Sequence, residues 1–270
     1  MIKKPDKSAG SGFGACSDPA GVCARGGAHQ FIIPDWPAPE NIRAAVTTRK
    51  GGYSQSPFNS FNLGDHVDDD PETVKKNRRL LNEILSLPNE PAWLEQIHTT
   101  NVVNAEKVEG SARADASYTA QKNAVCVVMT ADCLPVFFCS EDGSEVAVAH
   151  AGWRGLAAGI LEATVEKMNS PAQAIMAWMG PAIGPDNFEV GEEVRDAFMQ
   201  QNSETENAFQ KNKKGKWLAD IYSLARVRLK QSGVQNISGG GFCTYQNAEQ
   251  FFSYRRDGKT GRMGSLIWIK

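Results

Sequence analysis

The sequence predicts an α+β protein in which strands and helices are mixed along the chain. Short apolar runs bounded by glycine, proline and polar turn residues recur from residue 42 to the end, and such runs are typical of strands. Segments with apolar residues at helical spacing separate some of these runs but not others, which is against the regular alternation of a doubly wound parallel sheet. The sequence shows no internal repeat.

The composition indicates an ordinary soluble globular protein. Its 270 residues suffice for a large core, and 41% of them are hydrophobic, 22% are charged and the net charge is -2. A pI of about 6.1 argues against a nucleic-acid partner, and no apolar run approaches the roughly 18 residues of a membrane span. The first residues carry lysines but no apolar stretch of the kind found in a secretory signal, and four of the six cysteines lie in or beside apolar runs, so we expect reduced thiols and a cytoplasmic protein.

Residues 1–29 differ in kind from the rest of the chain. They are rich in glycine, serine, alanine and charged residues and have almost nothing to bury, so we expect a disordered N-terminal extension. One folded domain is expected over residues 30–270.

The first elements of this domain follow from local signals. Residues 42–48 read as a strand that runs into a glycine turn carrying Arg49, and the polar–aromatic loop at 58–64 is either ordinary turn chemistry or a binding loop. Asp70 is a natural N-cap and Pro71 fits a first helical turn, so a helix is expected up to about Leu85.

Strands dominate the middle of the chain, and helices and strands share its last third. The runs at 93–97, 114–119, 124–129, 135–139 and 146–149 predict strands, with residues 141–143 as a hairpin turn. Helices are expected at 156–168, 192–199 and 220–231, and further strands at 174–179, 234–238, 249–254 and 265–269.

Three potential metal ligands follow apolar runs beside glycine or proline turns. They are His98, Cys133 and His150, and each alone is better explained as a structural histidine or an inert thiol. Together, two imidazoles and one thiolate make three protein ligands, which leaves a coordination position open for water or substrate. Zinc fits this set and would acidify a bound water, whereas copper suits the same ligands. Four histidines are too few for a true multicopper oxidase.

The same residues also fit a different chemistry. Cys133 could be a nucleophile and His150 its base, with Asp132 as the orienting group of a hydrolase. Candidate anion-binding groups are Arg154, the Gly152–Gly155 amides at the start of a predicted helix, and Arg49; a solvent-facing role is as plausible for either arginine alone.

Four blocks in this order resemble the laccase-domain (YfiH, polyphenol-oxidase-like) purine nucleoside phosphorylase family. They are WLEQIH at 93–98, TADCLP at 130–135, HAGWRG at 150–155 and GPAIG at 180–184, and the likeness extends from about residue 31 to the end. Two features depart from the family pattern: Thr99 stands where a glycine usually follows the histidine, and residues 1–29 have no counterpart.

The resemblance implies a single-domain α/β sandwich with mixed β-sheet and packed helices, and a zinc ion held by His98, Cys133 and His150. It implies phosphorolysis of adenosine, inosine and methylthioadenosine, with adenosine deamination as a side activity. Peptidoglycan-precursor editing, as a UDP-muramyl-peptide amidase, and copper-dependent polyphenol oxidation are the alternatives. By resemblance alone, Asn62 is a further candidate for substrate contact. The expected partners are a purine nucleoside and phosphate.

Overall fold

The computed structural model describes residues 22–25 and 29–270 of the chain. The strands are β1 (Val22–Arg25), β2 (His29–Ile32), β3 (Ile42–Thr47), β4 (Leu94–Glu95), β5 (Val102–Asn104), β6 (Ala112–Arg113), β7 (Ala116–Thr119), β8 (Val125–Thr130), β9 (Leu134–Ser140), β10 (Val146–Ala151), β11 (Ile175–Met179), β12 (Glu189–Val190), β13 (Phe209–Lys211), β14 (Trp217–Ala219), β15 (Asn236–Gly239) and β16 (Met263–Ile269). The α-helices are α1 (Pro71–Leu85), α2 (Trp153–Ala158), α3 (Ile160–Lys167), α4 (Glu192–Met199), α5 (Ile221–Gln231) and α6 (Tyr254–Asp257). Short 3₁₀ turns lie at Ala105–Lys107, Ala172–Ala174, Pro185–Asn187 and Ser203–Ala208.

Two large sheets carry the fold. The first has the strand order β1-β2-β3-β16-β8 and is antiparallel throughout. The second has the order β15-β11-β9-β10-β7-β5, with parallel pairs at its two edges and antiparallel pairs inside. Two small sheets, β12-β14-β13 and β4-β6, lie beside them. The expected mixture of parallel and antiparallel pairing is confirmed.

The two large sheets pack face to face, and helices cover their outer faces. One buried cluster joins β3, β8 and β16 of the first sheet to β9, β10 and β11 of the second. The outer face of the first sheet packs on α1, and that of the second on α2 to α5. Every residue of β8, β9 and β10 is buried, which explains why these strands read as continuous apolar runs rather than as alternating ones.

Most predicted elements are present, and two differences lie in the second half of the chain. The helix expected at 156–168 is two helices, α2 and α3, because Gly159 adopts a left-handed conformation with φ of 103° between them. The strand expected at 249–254 is wrong: these residues form a loop that leads into α6, whose first turn is capped by the Ser253 side chain.

The predicted N-terminal extension falls mostly outside the described residues. Residues 22–25, within that segment, form β1 and pair antiparallel with β2, so disorder is not seen there. The boundary at residue 30 stays a prediction. Within the described part of the chain, no helix is long and apolar enough to cross a membrane.

Candidate active site

Three elements distant in the chain bring His98, Cys133 and His150 together. One potential ligand atom from each lies within 4.8 Å of the other two. Cys133 Sγ is 3.9 Å from His98 Nε2, and the two imidazole rings meet edge to face with centroids 4.8 Å apart. The side chains run from buried His150 through half-buried Cys133 to exposed His98, so the group is open on one side. The arrangement could hold a metal ion and leave a position for an exchangeable ligand.

Each of the three side chains sits where a strand gives way to a turn. His150 lies near the end of β10, and Cys133 lies in the tight turn between β8 and β9, directly after Asp132 with its φ of 90°. His98 differs from expectation, because the predicted strand 93–97 is only the two-residue β4, and His98 follows in a loop with φ of 61°. A positive φ is unfavourable for a side-chain-bearing residue, so this loop requires support from its surroundings.

Asp115 provides that support and was missed by the sequence reasoning. Its carboxylate is fully buried and accepts hydrogen bonds from the main-chain N–H groups of His98 at 2.9 Å and Thr99 at 2.6 Å. The Thr99 hydroxyl donates to it as well, at 2.9 Å. It also lies 2.8 Å from His150 Nδ1, which fixes the tautomer that leaves Nε2 free to bind a metal. Asp115 therefore orients two of the three potential ligands.

The electrostatic environment of His98, Cys133 and His150 favours the thiolate form of Cys133. Burial alone would raise the pKa of Cys133, but His150 and His98 beside it outweigh burial and lower the pKa to about 6. Burial would lower the pKa of His150, but Cys133 and Asp115 outweigh it and raise the pKa to about 9. The pKa of Asp115 falls to about 2, because its hydrogen bonds from His150 and Thr99 overcome the cost of burial. A thiolate is the form of cysteine that binds metal.

Gly152 has no side chain, which leaves room for the side chains of His98 and Cys133. A Cβ added at this position would lie 2.7 Å from His98 Cδ2 and 3.0 Å from Cys133 Sγ. The backbone after β10 thus approaches the two side chains more closely than any other residue type would allow. This close approach and the soft donor set fit a zinc or copper ion.

A cavity of about 460 Å³ opens over the group. Its size is suited to a small molecule rather than to a polymer. Aromatic residues and cations share its walls: Trp153, Phe188, Tyr254, Arg154, Arg255, Arg262 and His66. Tyr254 is 62% exposed, which is unusual for a large aromatic side chain and leaves its ring accessible at the cavity.

The predicted substrate-binding residues are placed unequally. Arg154 lines the cavity, with its guanidinium 4.4 Å from the centre of the Trp153 ring. Arg49 and Asn62 are not among the described residues that line it. Arg49 donates to the main-chain oxygens of Asn59 and Ala248 at 3.0 and 3.1 Å and stacks on a buried phenylalanine. Asn62 is fully buried in a hydrogen-bonded turn.

Asp132 does not occupy the orienting position considered for it. Its carboxylate accepts the Thr244 hydroxyl at 2.6 Å and the main-chain N–H of Arg255 at 2.7 Å, which ties the turn that holds Cys133 to the start of α6. The group that orients His150 is Asp115. Glu95 is another carboxylate close to His98 in the chain and could serve as an acid or base by its residue type, but it is exposed and pairs with Arg113 at 3.5 Å.

Sequence signals for the residues that were missed are weak. Asp115 stands between two alanines in a short apolar run, and a buried position was the only hint of a partner. Arg262 lies in the turn before β16, and arginines are common in turns, so its position does not indicate a ligand. Tyr254 stands directly before Arg255 and Arg256, but the strand predicted at 249–254 gave no indication of its exposure.

Comparison with known proteins gives one consistent result. The family model described as "Multi-copper polyphenol oxidoreductase laccase" matches residues 43–270. A Pseudomonas aeruginosa protein named purine nucleoside phosphorylase is 53% identical over 241 residues, covering 89% of this chain and 98% of the relative. The Escherichia coli purine nucleoside phosphorylase YfiH is 52% identical, covering 89% of this chain and 99% of the relative. The crystal structure of a Neisseria meningitidis protein covers 89% of this chain and 99% of its own, with 51% identity and a TM-score of 0.86.

Proposed function

Since the chain belongs to the multi-copper polyphenol oxidoreductase laccase family, whose relatives above are named purine nucleoside phosphorylases, we propose that it is a zinc-dependent purine nucleoside phosphorylase. The expected substrates are adenosine, inosine and methylthioadenosine, with deamination of adenosine as a side activity. The observation that carries this proposal is the convergence of His98, Cys133 and His150 under a cavity with aromatic and cationic walls.

The side chains of the cavity suit the two substrates of a phosphorolysis. Exposed Tyr254 and the neighbouring Trp153 offer flat apolar surfaces against which a purine base can stack. Arg154 offers a cation for phosphate or for the sugar hydroxyl groups. In the reaction a phosphate oxygen bonds to C1′ of the ribose, the bond from C1′ to N9 breaks, and its electron pair leaves with the base, which takes up a proton.

His98, Cys133 and His150 would hold the zinc ion, with Asp115 orienting the imidazole of His150. When bound, zinc supplies Lewis acidity at the open side of the group. The protein's own contribution is to keep this side accessible at His98 while closing the other side around buried His150. Copper fits the same donors, but polyphenol oxidation with several coppers needs more imidazoles than this chain has.

A hydrolase is the second candidate, and one observation favours it. Cys133, His150 and Asp115 form a chain of thiolate, imidazole and carboxylate, which is the order of groups in cysteine hydrolases. An amidase that edits muramyl-peptide precursors would use Cys133 as the nucleophile. Its activity would survive removal of the metal, whereas that of the zinc-dependent phosphorylase would not.

The test is product analysis with zinc-loaded protein. Adenosine is incubated with and without phosphate, and the products are separated by liquid chromatography beside a Cys133→Ala control. Adenine and ribose 1-phosphate that form only with phosphate and only with Cys133 support the phosphorylase. Inosine formed without phosphate makes deamination the main reaction. No product from folded, zinc-loaded protein refutes the nucleoside assignment, and muramyl peptides with metal-free protein then test the amidase.

A further inference from the structure

Arg262 differs from the other cations of the cavity in how it is held. Its main-chain N–H donates to Asn62 Oδ1 at 2.9 Å, and its Nη1 donates to the carbonyl oxygens of Thr260 at 2.9 Å and Gly261 at 3.1 Å. The backbone and one edge of the guanidinium are therefore fixed, while the side chain lines the cavity. An arginine that is fixed in this way has lost its conformational entropy before any ligand arrives.

The guanidinium also has no ion-pair contact with a carboxylate of the described residues. Among the described residues, no carboxylate lies within ion-pair distance of Arg262, although the residue is half-buried. Burial lowers its pKa, and nearby Cys133 and Asp132 raise it in turn, which places the guanidinium close to the potential metal ligands. Removing a cation from water without an ion pair is costly, so a half-buried arginine of this kind at a cavity wall indicates an anionic ligand.

The neighbouring arginines are engaged or exposed. Arg256 donates to three carbonyl oxygens and pairs with Asp257. Arg255 donates to the carbonyl of Glu189, and Arg154 is exposed and stacked on Trp153. Among the described residues, Arg262 alone of these four is half-buried and has no ion pair with a carboxylate; Arg255 also has no ion pair, but it is exposed.

We propose that Arg262 is the anion-binding residue of the cavity, where its free N–H groups hold an oxygen of inorganic phosphate beside His98, Cys133 and His150. Asn62 is then a positioning residue, because its buried side chain fixes the main chain of Arg262 and the turn at Gly64 that packs against it. This assignment rests on the proposed phosphorylase and names the site of its second substrate. It places that site in the turn before β16, whereas the sequence offered Arg154, the Gly152–Gly155 amides and Arg49 as the anion-binding candidates.

The experiment measures phosphate binding without relying on turnover. Thermal unfolding of zinc-loaded protein is followed with increasing phosphate at constant ionic strength, for the wild type, Arg262→Gln, Arg262→Lys and Arg154→Gln. Arg113→Gln is the matched control, because Arg113 is exposed and lies outside the cavity lining. Phosphate should raise Tm of the wild type and the control, and loss of a charge-assisted bidentate contact should weaken phosphate binding about 10–100-fold in Arg262→Gln.

A second variant disturbs Arg262 without replacing it. A Cβ at Gly64 would lie 2.8 Å from Arg262 Cγ, so Gly64→Ala should displace the side chain and raise KM for phosphate while KM for adenosine stays unchanged. This variant also decides the question if Arg262→Gln does not fold. Zinc content, measured in every variant, should equal that of the wild type.

The outcomes separate this assignment from the proposed function. A phosphate-dependent Tm rise that Arg262→Gln retains, or that only Arg154→Gln loses, overturns the role of Arg262 and leaves the phosphorylase intact. A Tm rise that depends on Arg262 in a protein that forms no ribose 1-phosphate supports the anion site and refutes the phosphorylase. No Tm rise in the wild type refutes both.

Discussion

Replacement of Asp115 gives the sharpest test of how the site is built. Asp115→Asn keeps the shape of the side chain but removes the charge and replaces one of the two oxygens that accept from main-chain N–H groups and His150 by an N–H₂ donor. The pKa of Asp115 is lowered from 3.8 to about 2, and this shift corresponds to about 2–3 kcal/mol of folding free energy near neutral pH. Asp115→Ala also leaves the N–H groups of His98 and Thr99 without an acceptor, so we expect a loss of about 3–5 kcal/mol.

The folding stability and the zinc affinity of the Asp115 variants can be measured separately. Urea unfolding of metal-free protein reports the stability, and competition with a chelator reports the zinc affinity, which should fall about 10–100-fold because His98 and His150 lose their orientation. Asp142→Asn is the matched control. Asp142 is an exposed carboxylate in the β9–β10 turn with a similarly lowered pKa of about 2, and it accepts hydrogen bonds from Ser140 and Ser144.

The pH dependence has a definite sign. A carboxyl group with a lowered folded-state pKa stabilises the fold above its unfolded pKa, and that contribution disappears as the pH falls. The stability difference between wild type and Asp115→Asn should therefore be full above about pH 4 and vanish towards pH 2. Zinc affinity within about twofold of the wild type, together with an unchanged urea midpoint, would refute the orienting role of Asp115.

Three further predictions follow from the same site. In metal-free protein, Cys133 should be alkylated by iodoacetamide with a midpoint near pH 6. Cys126 and Cys139, whose pKa values burial raises to about 12, should stay unreactive. The same midpoint for Cys133 in His150→Ala would show that His150 does not lower the pKa of this thiol. Gly152→Ala should fold but bind at least about tenfold less zinc, because its methyl group enters the space of His98 and Cys133, and normal zinc content in a native-like variant would show that the loop can yield. Thr244→Val removes a buried hydrogen bond to Asp132, so it should lower the free energy of unfolding in urea by about 1–2 kcal/mol. Because Asp132 also holds the start of α6, this variant should raise KM for adenosine more than it lowers kcat. Equal effects on KM and kcat would mean that α6 does not position the substrate.

The metal-type triad could be found from the sequence because its residue types are rare and each follows an apolar run. Four histidines leave few combinations, and buried strands place the residues that follow them at the edge of a sheet. The α+β class could also be inferred, because strand-like and helix-like segments are mixed along the chain, whereas the sandwich was implied only by the resemblance to the family.

The supporting residues could not be found in this way. Asp115 acquires its role only when β7 brings it beside a loop that begins with an irregular His98, and no local pattern encodes that approach. Arg49 had the same local signals as a ligand-binding arginine but satisfies carbonyl oxygens of two loops. Direct substrate contact by Arg49 or Asn62 stays a prediction. The loop at 249–253 has the aromatic content of a strand, and its main-chain hydrogen bonds instead close turns around residue 247.

The position of β16 has a consequence for how this chain reaches its native state on the ribosome. β16 lies between β3 and β8 and pairs with both, although it follows them by most of the length of the domain. Until β16 emerges from the ribosome, β3 and β8 each have an unpaired edge. Cys133, which follows β8, then lacks the complete sheet that holds its turn in place. A chain whose translation stops before Met263 therefore lacks the strand between β3 and β8, and chaperones and proteases can recognise the exposed strand edges. The site assembles only after β16 has been synthesised.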